Sequence, residues 1–314
     1  MKLATVRVRP LIAVGIGLTA VGAAALLVLP SLAKAPEARL TATTSAPPEG
    51  AYWHTKVLFK RTHHRQLGSG ANRYWVVEQQ LSEEWTTPDG KSWVGFRQLG
   101  TYPKSAADRK AWDRDGSPAK WTRAANGQTV SLSTKPGKGH VSPMRGENTF
   151  FLAGQRLTYD EVQRLPADPN RLKSWLAEAA KVSRVQENAV DRYVTGALPA
   201  LLHRLPAPKE VRTAAYQALL TMPGVRSQGR TTDSVGRTGA ALSIDHPDIS
   251  QKVNATKVKI GTKTDLIIDT GAMLLLSERQ TSMIDDKLFL NKTSTQTMLQ
   301  VGWTDAAPAV PALP

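Results

Sequence analysis

Few side chains in this 314-residue sequence have a type and spacing that could do chemistry. The strongest run is Leu266-Ile-Ile-Asp269-Thr270-Gly271-Ala272, two hydrophobic residues followed by Asp-Thr-Gly-Ala, the signature of aspartic proteases. Those enzymes share one proton between paired carboxylates. A single copy would need a homodimer, a flap and a second segment of two hydrophobic residues and a glycine downstream. Only the residues to Pro314 follow, and they contain no convincing segment of that type. Asp and Gly are also what a tight hairpin turn asks for, so the run is read as a turn between strands 264–268 and 273–278. Asp269 as the carboxylate of a hydrolase is the lesser alternative.

Other constellations carry less. His63 and His64 with His54 could suggest a metal, but neighbours on a strand point to opposite faces and no further ligand spacing supports a site. Asp245-His246-Pro247-Asp248 is rich in carboxylates but reads as a loop. No G-x-S-x-G nucleophile turn occurs, and no glycine-rich stretch ends in the Lys-Ser/Thr of a phosphate loop. The chain has no cysteine, which removes disulfides, thiolate nucleophiles, cysteine-held zinc and a lipidated bacterial N-terminus. The expectation is a protein that is not an enzyme, with no metal and no cofactor. Binding is the remaining class. Four of the eight tryptophans, Trp53, Trp75, Trp85 and Trp93, fall within about the first three strands. Trp53, Trp75 and Trp93 are the candidate lining of an apolar ligand on a sheet face, against the commoner role of aromatics at strand spacing as core.

These residues need a sheet to position them. Trp53, Thr55, Val57 and Phe59 alternate with His54, Lys56, Leu58 and Lys60, the period of a half-buried strand. A second strand is expected over 73–86, with Trp75, Val77 and Leu81 on one face and Tyr74 and Val76 on the other, and a third over 92–99, joined by the Pro88-Asp89-Gly90 turn. A short helix is predicted within 104–121, then a long loop with weak strands over 126–147. The helical section follows. Thr158 and Glu161 form a capping box, and Asp168-Pro169 supplies an N-cap with proline at the first helical position. Longer helices are expected over 185–205 and 208–222. Strands return at 225–228, 238–244, 256–260, 264–268 and 273–278, with one or two more in 280–303. The tail 304–314 is predicted to be disordered.

The N-terminus sets the address. Residues 11–33, LIAVGIGLTAVGAAALLVLPSLA, carry no charge, and Lys2, Arg7 and Arg9 precede them. A helix of that length crosses a ~30 Å hydrocarbon layer, and the positive flank holds residues 1–10 in the cytoplasm. Ala33-Lys34-Ala35 resembles a signal-cleavage site, so secretion after cleavage near Ala35 stays open beside a single-pass anchor in the cell membrane. Residues 34–50 form a linker rich in Pro, Ala and Thr, and 51–303 the ectodomain, with its helical insert at about 155–222. Of 41 basic residues four precede residue 36, while all 26 acidic ones follow it, leaving the rest at about +11. With no run of consecutive basic residues this reads as a scattered surface surplus. Outside a membrane it suits anionic headgroups or wall polymers rather than nucleic acid.

The segments YWHTKVLFK at 52–60, WVGFRQLG at 93–100, LTYDEVQRLPADPNRLKSWL at 157–176, VRTAAYQALLTMPGVRSQG at 211–229 and TDLIIDTG at 264–271 resemble an uncharacterised family of actinobacterial membrane-anchored proteins. The resemblance covers nearly all of 50–280. Members are often encoded beside extracytoplasmic-function sigma factors, which implies a regulatory or envelope-sensing role. The family's cytoplasmic segment is commonly longer than residues 1–10, leaving this chain little with which to grip a sigma factor. The element order also resembles, more loosely, the half-open barrels of lipoprotein carriers and envelope-stress sensors, where a curved sheet binds acyl chains or a partner. The expected fold is therefore α+β, a curved antiparallel, half-barrel-like sheet covered by a helical insert and preceded by one transmembrane helix. The expected function is a non-enzymatic extracytoplasmic sensor or binding module for a lipophilic ligand or an envelope protein partner. A structural envelope protein without ligand is the alternative.

Overall fold

A computed structural model describes residues 48–125, 128–145, 149–253, 256–284 and 287–314. The described residues form one compact unit. The anchor expected at 11–33 lies outside the described residues, and no described helix is long and apolar enough to cross a membrane.

The main sheet is antiparallel and curved, with nine strands. The N-terminal meander is β1 (Tyr52–Thr62), β2 (Val76–Thr86) and β3 (Ser92–Pro103). After α1 (Ala106–Arg114) come the hairpin β4 (Lys120–Ala125) and β5 (Gln128–Ser133), the edge strand β6 (His140–Pro143) and a small hairpin, β7 (Phe150–Leu152) with β8 (Gln155–Leu157). The helical insert contains α2 (Tyr159–Gln163), α3 (Pro169–Val182), α4 (Val190–Ala197) and α5 (Lys209–Leu220). Four long strands and one short one then complete the sheet: β9 (Val225–Thr232), β10 (Thr238–Val253), β11 (Thr256–Asp269), β12 (Leu274–Ile284) and β13 (Lys287–Thr304). The order β6-β3-β2-β1-β13-β12-β11-β10-β9 places the last strand beside the first.

Local signals set the insert's helix starts. Thr158 Oγ1 accepts from Glu161 N at 3.2 Å while Glu161 Oε2 accepts from Thr158 N at 2.7 Å, so the capping box is formed. Asp168 Oδ1 accepts from Asn170 N and Arg171 N at 3.0 and 2.8 Å. The helix expected over 185–205 is broken into a 3-10 turn (Glu187–Ala189), α4 and a second 3-10 turn (Leu198–Leu202). Pro199 explains the second break, since it has no N–H to continue an α-helical ladder. Between α5 and β9, Gly224 sits at φ +77°, where a side chain would collide with the Asp245 carbonyl.

Antiparallel partners share a face, and alternation assigns the rest. Val57, Met298, Leu266, Leu242, Ile244, Ile268 and Leu275 lie on the insert face and form one core with Leu172, Leu176, Leu201, Leu202, Val211 and Leu219 of the insert. Each such side chain contributes on the order of 1.5–3 kcal/mol of burial. A satellite core joins Tyr74, Val76 and Ala111. There Trp121 Nε1 donates to the Tyr74 hydroxyl at 2.9 Å, which itself donates to Asp115. Burial first, then Asp115, pushes that hydroxyl up to about 12.

Three expectations are corrected. The strands expected over 256–260 and 264–268 are one, β11, whose Gly261 pairs with Met283 of β12 and lies at the register shift on the β10 side. Asp245–Asp248, expected as a loop, lies within β10, and a register shift between His246 and Ile249 absorbs the extra residues. Of the tail expected to be disordered, Thr304 ends β13 and the rest forms no helix or strand, yet it lies against β3. A Cβ on Gly95 would stand 3.0 Å from the Pro311 ring and 3.1 Å from the Ala309 carbonyl oxygen, and Pro311 is buried. Glycine on β3 is what lets the tail approach so closely.

Candidate ligand site in the helical insert

The second 3-10 turn delivers His203 and Arg204 to the insert face. Trp53 Nε1 donates to the His203 carbonyl at 3.1 Å, tying β1 to the insert. The His203 ring is buried, and its Nδ1 lies 3.0 Å from the Pro199 carbonyl. Burial, followed by the Arg204 charge, brings its pKa down to about 3, so the ring is neutral and donates that hydrogen bond. Arg204 is exposed.

Outward, Arg204 lines a groove of about 630 Å³ with Leu152, Arg192, Tyr193, Ala197 and Ala200. Its volume is in the range of small-molecule sites. The lining is mostly apolar, contains no carboxylate, and presents two guanidiniums. Among the described residues neither Arg192 nor Arg204 is in an ion pair. The Arg204 charge also reaches Glu84 of β2 and Glu278 of β12. Enclosure by protein raises the pKa of both carboxyls, against the opposing pull of Arg204 and, for Glu278, of Gln280. Both side chains are half-buried.

The tryptophans expected to line one apolar face do not share one. Trp53 is on the insert face, buried, 5.7 Å edge-on from Trp303, which in turn meets Tyr159 at 5.9 Å. Trp93 pairs with Trp85 on the outer face and lies edge-on to Tyr52 at 5.8 Å. Trp75 precedes β2; its backbone N–H is held by Asp108 at 2.8 Å. Consecutive strand positions alternate, so a set of aromatics taken from three strands shares a face only if the registers agree, and here they do not. Tyr74 and Val76 are buried in the satellite core, while Leu81 is buried on the outer face.

The remaining candidates resolve locally. Asp269 Oδ1 accepts from Gly271 N at 2.8 Å and Ala272 N at 3.2 Å, closing the β11–β12 turn. Asp269→Asn retains that acceptor, and unfolding in urea is expected to shift by less than about 1 kcal/mol. His63 and His64 follow the end of β1, so the alternation argument does not apply to them, and their rings pack at 4.4 Å. His63 bonds Glu78 at 2.7 Å. His54 is on the outer face, stacked on Trp85 at 4.8 Å and bonded to Glu83 at 3.0 Å. Among the described residues no three His, Asp or Glu side chains converge as a metal site would. Asp245 is paired with Arg226 at 2.6 Å.

The fold and site define an α+β protein built on a large, curved antiparallel sheet with an inserted helical layer. No protein-family model and no curated protein matches the chain. Among solved structures it is similar to a beta-barrel-like protein of the domain of unknown function DUF1849 from Brucella abortus, at 9% identity and a TM-score of 0.22, over 82% of this chain and 100% of that one.

Proposed function

We propose that this chain is a non-enzymatic extracytoplasmic binding module, held at the membrane by residues 11–33, that takes an anionic single-chain amphiphile in the groove beside Arg204. The observation that supports this reading is the groove itself: apolar walls, two guanidiniums without ion pairs among the described residues, and no carboxylate. An acyl chain fits the first, an anionic headgroup the second. Occupancy would act on α4 and the 3-10 turn that carries Arg204, and so on whatever partner reads the insert. The resemblance to proteins encoded beside sigma factors makes envelope signalling the setting.

Native mass spectrometry of residues 36–314 purified from the source envelope is the test. The expected result is a stoichiometric anionic lipid that is absent from Ala200→Trp, a variant that fills the groove. A clean protein mass would overturn the proposal and favour a structural role.

A further inference from the structure

The outer face of the sheet, away from the insert, carries a seat for the tail. Thr304 pairs with Tyr52 of β1, whereas the Ala309 carbonyl oxygen and the Pro311 ring stand over Gly95 of β3. With β2 lying between those two strands, the tail passes across it. Gly95 is the register partner of Glu83 and is flanked by the pairs Leu81 with Arg97 and Trp85 with Trp93. Leu81, Glu83 and Trp85 all point outward, yet all three are buried. Gly139, just before β6, is the second glycine of the seat: a Cβ there would stand 2.9 Å from Val310 Cγ1.

The tail's sequence has the matching period. Prolines recur at every third position, Pro308, Pro311 and Pro314. Pro308 is half-buried and Pro311 buried, while Ala309, Val310, Ala312 and Leu313 are exposed. Three residues per turn is the repeat of a polyproline helix, which presents the same edge at each proline. Among the described residues no hydrogen bond joins 307–314 to the rest of the chain. The segment is held by shape and apolar contact, the mode in which a stiff proline-rich ligand docks on an aromatic-lined groove.

We propose that the outer face around Gly95 is a docking groove for an extended Pro-x-x-Pro segment of a partner protein, and that the chain's own tail is its resident occupant. Proline fixes φ beforehand, so such a segment docks at little conformational cost. The short connection from Thr304 holds the resident at an effective concentration on the order of 1 mM, so a partner gains access when the tail leaves. This surface is on the opposite side of the sheet from the insert and does not rest on what the Arg204 groove takes.

The test uses the full chain in detergent solution and a fluorescein-labelled synthetic peptide of residues 305–314, followed by anisotropy. Pro311→Asp places a charge in the buried seat and is expected to release the tail; Pro308→Asp, at the half-buried position, repeats the release more gently. The expected result is saturable 1:1 binding to the released chains, at least tenfold tighter than to the parent. The same peptide with Pro308→Ala and Pro311→Ala is expected to bind at least tenfold more weakly. Adding Gly95→Val to a released chain fills the seat from the β3 side and is expected to abolish binding. Lack of saturable binding to both released chains would overturn the proposal. So would equal binding by parent and released chains, or by the two peptides, or binding that survives Gly95→Val.

Discussion

Leu201→Ala is expected to lower the unfolding free energy by about 2–5 kcal/mol, the range for deleting a fully enclosed leucine side chain. Leu201 is 0% exposed in the 3-10 turn that seats the insert on the sheet, within the core that includes Val57, Leu266 and Met298. The neighbouring His203 carbonyl holds Trp53, so the truncation also loosens a buried hydrogen bond. Urea denaturation of residues 36–314, followed by tryptophan fluorescence, measures it. Leu220→Ala is the control: that side chain is 44% exposed, and its loss is expected to stay within about 0.5 kcal/mol. Equal effects at the two positions would mean that the insert is not seated through its buried face.

The second large effect is on the outer face. Glu83 is 8% exposed and bridges His54 Nε2 and Lys56 Nζ, each at 3.0 Å. Glu83→Gln is expected to cost about 3 kcal/mol at neutral pH, because removing one partner of a buried ion pair strands the other. The figure is at the low end because the Lys56 side chain keeps 25% of its surface. Burial by itself pushes the Glu83 carboxyl up, but the His54 and Lys56 hydrogen bonds and the Lys56 charge outweigh it and hold the pKa below 4.5. A carboxyl whose folded pKa is depressed contributes stability that is complete above its unfolded value, here 4.5, and that fades as pH falls through the folded one. The difference between wild type and Glu83→Gln should therefore be constant from pH 7 to about 5 and shrink below 4.5. Denaturation curves at a series of pH values check it; a difference that grows on acidification would contradict the assignment.

Several features were legible because they are settled within a few residues. Thr158 with Glu161 and Asp168 with Pro169 mark helix starts by donors and acceptors of one turn, and Asp269 with Gly271 marks a turn the same way. The alternation in β1 correctly puts Trp53, Val57 and Phe59 on one face. Pro199 is a local signal of the same kind, a missing N–H that breaks the helix expected over 185–205. Gly261 shows the opposite error: a strand breaker by propensity, it is kept in the strand by its pairing with Met283 of β12, at a bulge on the β10 side.

The candidate site was not legible, for a different reason. Leu152 belongs to the β7–β8 hairpin and Arg192, Ala200 and Arg204 to the insert, and they line one groove only because the insert folds against that hairpin. Whether Trp53 and Trp93 share a face depends on the register between β1, β2 and β3. A tail rich in Ala and Pro has no periodicity to announce that Pro311 finds a cleft over Gly95. By itself, then, the sequence determined the strand, turn and helix-start chemistry, which short-range hydrogen bonds and side-chain alternation control. Only the tertiary structure decided which residues line the groove and which carboxyls are enclosed. Long-range pairing sets those proximities, and enclosure rather than residue type sets the energy of a charge.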